Sequence, residues 1–123
     1  MIIAIVLAIA LPRLRLVLDR ITVHAAATEV TTILSSARTL AIAGRSPVAV
    51  DVDASGTLRV RRGAEIVLVR GVGAVHGVTV GRTRDSLTYD PRGLGRGAAN
   101  LSIILRLRAA VETVFVSRLG RVR

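Results

Sequence analysis

Val23-His24-Ala25-Ala26-Ala27-Thr28-Glu29-Val30-Thr31-Thr32-Ile33-Leu34-Ser35-Ser36-Ala37-Arg38-Thr39-Leu40-Ala41 is the stretch that decides the fold. Val23, Ala26, Ala27, Val30, Ile33, Leu34, Ala37, Leu40 and Ala41 return every third or fourth residue, which draws one apolar stripe along a helix. Arg20, Glu29, Thr31, Thr32, Ser35, Arg38 and Thr39 fall mostly on the other side. Such a stripe needs an apolar surface to cover. Gly44, followed by Ser46-Pro47, supplies a stop signal.

Upstream, Met1–Leu11 is uninterrupted apolar sequence. A membrane-spanning helix needs roughly 20 such residues, so this run is about half a span. As a signal-peptide core, with Ala8-Ile9-Ala10 as cleavage site, it lacks a positive flank. As a buried core helix it is apolar on too many faces. The remaining reading is the end of a transmembrane helix that starts before Met1, which would then be an internal Met. Arg13 and Arg15 then mark where the helix leaves the bilayer. Pro12 kinks a helix without necessarily ending it. The expectation is therefore one helix over about 1–44, lipid-like first and amphipathic second.

Beyond Pro47 the period becomes alternating. Val48–Asp53 reads as a strand, Ala54-Ser55-Gly56 as a turn, and Thr57–Arg61 as the partner strand. Further strands are expected at Glu65–Arg70, Ala74–Val80, Ser86–Tyr89, Leu101–Leu107 and Glu112–Ser117. Asp90–Asn100, with Pro91 and several glycines, reads as a flexible loop. The expected class is α+β: a membrane and assembly helix over 1–45 packed on a small antiparallel β domain over 46–123, as one sheet or a pair.

The chain has 123 residues, which suits one compact domain, and no cysteine, which excludes disulfides and thiolate chemistry. Aromatics make up only 2% of it, so the core must be Val, Ile, Leu and Ala. The net charge is +10, and every one of the 18 basic residues is Arg. That surplus suits nucleic acid, anionic lipid or an acidic partner, although a GC-rich genome also favours Arg codons.

No motif carries catalytic chemistry. Asp51-Val52-Asp53-Ala54-Ser55-Gly56 opens like a calcium loop, but the position that needs a bidentate Glu is Arg62. His24 and His76 lack neighbours at metal-ligand spacing. There is no Gly-x-Ser-x-Gly. Gly71-Val72-Gly73-Ala74-Val75-His76 has its third glycine one place late for a dinucleotide loop and no helical pattern after it. Gly93-Leu94-Gly95-Arg96-Gly97 lacks the Lys-Ser/Thr of a phosphate loop, and Asn100-Leu101-Ser102 is a weak glycosylation sequon. The sequence therefore points away from an enzyme, with no catalytic residue, cofactor, metal or small-molecule substrate expected. Arg59/Arg61, Arg82/Arg84 and Arg106/Arg108 alternate along strands and read first as solvated outer faces. Their functional alternative is a phosphate-binding strip, which lacks the stacking aromatics of single-strand binders.

Four segments carry a family likeness. They are the helix ending in Ala10-Leu11-Pro12 with its Arg-rich continuation, Ser36–Val48, Leu87-Thr88-Tyr89-Asp90-Pro91-Arg92-Gly93, and Val116–Arg123. In that order the chain resembles the type IV pilin-like minor pseudopilins of the GspH/FimT family, N-terminally truncated. It departs from them in lacking the basic leader and the Gly-Phe-Thr-Leu-x-Glu that follows. The resemblance implies a single-pass protein of the bacterial inner membrane, methylated like its relatives, whose β domain faces the periplasm or an extracellular filament. Its partners would be other pilin or pseudopilin subunits, in type II secretion or a type IV pilus. Ile2, Ile5, Leu7, Ile9, Leu11 and Pro12 would form the membrane and assembly helix. In the FimT-like branch a C-terminal Gly-Arg-x-Arg accompanies DNA binding during uptake; Gly120, Arg121 and Arg123, with Arg118 nearby, fit that alternative.

Overall fold

The computed structural model describes residues 2–96 and 100–123. Helix α1 (Ile2–Ala43) is followed by strands β1 (Val48–Val52), β2 (Thr57–Arg62) and β3 (Glu65–Gly71). A short helix α2 (Val72–His76) then leads into β4 (Thr79–Arg82), β5 (Ser86–Tyr89), β6 (Leu101–Leu107) and β7 (Ala110–Val116). The strands form two antiparallel sheets, ordered β3-β2-β1-β5 and β4-β6-β7. A register shift with β2 between Val60 and Arg61 makes β3 irregular.

α1 runs for 42 residues straight through Pro12. Pro12 removes one backbone donor and crowds the carbonyl four residues back, yet helix continues on both sides of it. The expected stripe is the buried face: Val23, Ala26, Ala27, Val30, Ile33, Leu34, Ala37 and Ala41 are all buried, and Leu40 packs against them. α1 packs most against β7, then α2, β6 and β1, so it lies across both sheets. Inward side chains such as Val50, Leu58, Leu87, Ile103, Leu105 and Val114 complete the core. On the solvent side, Thr28, Thr32 and Thr39 donate their hydroxyls to the carbonyl one turn back, which satisfies a residue otherwise neutral in helices.

Three expectations need correction. The left-handed residue that ends α1 is Arg45 (φ 49°), not Gly44. The amide of Gly44 donates to the Leu40 carbonyl, and that of Ser46 reaches back to Ala41. Val72–His76 is helical where a strand from Ala74 was expected. A Cβ at Gly73 would sit 2.8 Å from the Ser55 carbonyl oxygen, so the chain presses against the β1–β2 turn there and coils back. Gly77, in the left-handed region, stops the coil. Finally, β7 begins at Ala110 rather than Glu112, and Arg84 and Arg108 lie outside strands.

Leu34 is fully buried in the stripe, whereas Leu14 is half exposed on the free part of the same helix. Leu34→Ala should cost about 2–5 kcal/mol of unfolding free energy by loss of packing and a residual cavity. Leu14→Ala should change it by no more than about 0.5 kcal/mol. Denaturant titration of the full chain in detergent would measure both.

Candidate functional site

Asp90 organises one end of the β domain. Its carboxylate accepts the amides of Arg92 (2.9 Å) and Leu94 (3.0 Å), while its own amide donates to the Leu94 carbonyl. These amides hold the carboxyl below the usual range, chiefly the Leu94 bond, against the opposing effect of burial. The segment Asp90–Arg96, expected to be loose, is thus a hydrogen-bonded turn. Gly95 bridges to Tyr89, and the Arg96 amide donates to Thr88, so the turn covers the outer edge of β5. The remainder of that expected loop includes residues 97–99, which lie outside the described residues.

Gly93 sits at φ 82°, where its carbonyl accepts the Arg38 Nε at 3.0 Å. Gly120 lies against the same spot at φ 75°, and a Cβ there would come within 2.2 Å of the Gly93 oxygen. Helix, turn and C-terminus therefore meet at Arg38. From Gly120 the chain runs back along β7. The Ser117 amide donates to Arg121, and Phe115 and Arg123 exchange both backbone hydrogen bonds at 2.8 Å. Val122 points inward against the core. Arg121 and Arg123, two residues apart in extended chain, share the opposite face and are exposed. With Arg38, Thr31, Ser35 and Thr39 of the helix they line an open cleft of about 470 Å³. Arg118 lines a second cleft with Arg92 and Arg96. Of the four C-terminal residues expected to act together, Gly120, Arg121 and Arg123 line one cleft and Arg118 faces its neighbour.

The other expected group sits on the free half of α1. Ile2, Ile5, Leu7, Ile9 and Leu11 are all more than half exposed, and Pro12 is exposed with them. Among the described residues no helix is long and apolar enough to cross a membrane. Where the rod meets the β domain, Arg108 donates Nε and Nη2 to the buried Asp19 at 2.8 and 2.6 Å. Those bonds hold the Asp19 carboxyl below its ordinary range. Sequence reading missed this pair, although Asp19 lies four residues before Val23 on the apolar stripe, and an acid there calls for a cation. It also missed the cluster in which Glu29 accepts from Arg70 and pairs with His76, tying α1 to β3 and α2.

The calcium-like segment is a hairpin turn. Asp53 accepts the Ser55 hydroxyl and the amides of Ser55 and Thr57, which bring its pKa down to about 2, the Ser55 hydroxyl contributing most. Its second oxygen takes Arg59, and Asp51 takes Arg61. Both carboxylates are thus already engaged, and the outer-face arginines of β2 are ion-paired rather than simply solvated.

This arrangement is a long helix with one half free, laid over two small sheets and closed by a C-terminal strand. A model of the family Type II transport protein GspH matches residues 26–120. The chain belongs to the GspH family. A search of curated proteins finds no match. Among solved structures, the type IV minor pilin FimU of Pseudomonas aeruginosa PAO1 is similar with a TM-score of 0.72 at 17% identity, over 85% of this chain and 89% of FimU. A second crystal form of FimU gives 0.68 at 16% identity, over 81% and 90%. Identities this low speak to the pilin-like fold. The GspH match leaves out residues 121–123, so the terminal arginines stand outside the matched segment.

Gly120→Ala should dislodge the terminal strand, because both its φ and its contact with Gly93 exclude a side chain. The expected result is a lower melting temperature and faster amide exchange at Phe115 and Arg123, measured by thermal denaturation and hydrogen exchange. Gly63→Ala, whose added Cβ would meet nothing within 4 Å, carries only the strain of its own positive φ and should leave that exchange unchanged.

Proposed function

We propose that this GspH-family chain is a structural minor subunit of a type II secretion or type IV pilus filament, held in the inner membrane before it is drawn into the filament. The observation that supports this most is the division of α1. Its second half is buried on the β domain, while its first half projects with apolar side chains exposed on every side. Exposed apolar area on that scale marks a surface meant for lipid or for other helices. In this reading Ile2–Leu11 is the anchoring part and passes into a filament core, and the β domain faces outward towards neighbouring subunits. The role is mechanical and calls for no catalytic group.

Replacing Ile5 and Ile9 with Glu should leave the β domain folded, since neither residue touches it. It should abolish recovery of the chain with other pilins in sheared filaments and shift it out of the membrane fraction. Normal incorporation of this variant would remove the filament reading.

The cleft between the terminal strand and α1 supports a second reading, a DNA-binding minor pilin. Arg121 and Arg123 stand on one face beside Arg38 and the hydroxyls of Thr31, Ser35 and Thr39. Cations and hydroxyls in a row suit a phosphodiester backbone, held without sequence preference. Each phosphate contact adds about 0.9 to the slope of log affinity against log salt for duplex DNA. Arg121→Ala with Arg123→Ala should therefore weaken binding and flatten that slope by roughly 2. Unchanged affinity across a salt titration would exclude uptake through this tail.

A further inference from the structure

We propose that β3 is a self-complementary edge through which two copies of this chain pair in antiparallel fashion. The fold covers its other long edges with its own chain. The outer side of β7 is paired by Arg121–Arg123, and that of β5 by Gly95 and Arg96. β4 is only 4 residues long. β3 is 7 residues long, terminates its sheet, and has no strand beside it among the described residues. Its register shift against β2 is its one irregularity. Of the devices that blunt an edge it has the bulge alone along its middle, with no Pro and with charge only at its ends, Glu65 and Arg70. Instead Ile66, Val67, Leu68 and Val69 are exposed by 54, 42, 41 and 53%.

The occupant follows from charge. The segment reads Glu65-Ile66-Val67-Leu68-Val69-Arg70, an acid and a base enclosing four apolar residues. Val67 is the extra residue at the register shift, which places Glu65, Leu68 and Arg70 on one face and Ile66 and Val69 on the other. Antiparallel pairing about an axis through Leu68 therefore sets Glu65 opposite Arg70 of the second copy, at both ends. Ile66 then faces Val69 and Leu68 faces its own counterpart, so each of these cross-strand pairs is favourable. Parallel pairing in register would set like charges together. The surroundings remove the objection that a chain of +10 repels itself. Arg59, Arg61, Arg62 and Arg70 are each paired, with Asp53, Asp51, Glu65 and Glu29. Four of the chain's 8 acidic residues thus neutralise this one region, and the excess charge lies elsewhere. The Arg62–Glu65 contact is loose at 3.7 Å with Glu65 well exposed, so Glu65 is free to change partner. Five paired residues bury less than a stable dimer interface requires, so the pairing should be weak and dependent on concentration. It goes beyond the filament reading and does not depend on it.

The absence of cysteine makes the test direct. Ile66 and Val69 are about 10 Å apart within one strand, too far for a disulfide. In the proposed register each faces the other across the pair. The full chain carrying Ile66→Cys and Val69→Cys, oxidised at micromolar concentration in mild detergent, should form a covalent dimer. Either single variant should not. Glu65→Arg added to the double cysteine should reduce the dimer several-fold, and Arg70→Glu added to that should restore it. Val111→Cys, exposed on the other sheet, measures crosslinking caused by helix association within micelles. Double-cysteine dimer no greater than that background would overturn the proposal, as would efficient crosslinking of the single variants.

Discussion

The burial of one stripe of α1 across the seam of two sheets is the interaction on which this structure depends. Neither sheet is large enough to close over itself, and a core without Trp and with a single buried Tyr has few wide side chains to fill gaps. The stripe solves this with small residues. Ala26, Ala27, Ala37 and Ala41 let the helix backbone approach, and Val23, Val30, Ile33 and Leu34 fill what remains. Fully burying a side chain of the latter kind is worth about 1.5–3 kcal/mol. Removing the helix would expose the inner faces of both sheets at once.

The polar features of the domain serve the same arrangement. Arg108 on Asp19 fixes the helix at its lower end, Arg70 and His76 on Glu29 at its middle, and Arg38 on Gly93 near its top. These contacts add direction to a hydrophobic seam that by itself would allow sliding. The Asp90 turn and the terminal segment gather around the upper contact, which is why both arginine-lined clefts lie at that end.

Much of this was legible in the sequence because two periods are hard to mistake. The three-four spacing from Val23 to Ala41 gave the helix and its buried face, and the alternation of Val48, Val50 and Val52 gave the first inward strand face. Val72–His76 misled because a short apolar run with glycines fits strand and helix alike, and only its contact with the Ser55 turn decides. Arg45 rather than Gly44 takes the left-handed position, because the stop depends on which amide reaches back to Ala41. The terminal arginines were legible as a pair but not as part of a cleft, since Arg38 lies far away in the chain. Ion pairs such as Arg108–Asp19 depend on tertiary placement, although an acid on an apolar stripe was a signal that such a partner existed.

The free half of α1 has a mechanical consequence. Residues 2–18 form a rod of about 25 Å at 1.5 Å per residue, clamped at Asp19. A pull along that rod meets the seam in shear, so the side chains from Val23 to Ala41 share the load together instead of yielding one after another. A sideways push, by contrast, falls first on the Asp19–Arg108 clamp, with the length of the rod as its lever arm. The molecule is thus built to be tugged lengthwise and is weakest when bent.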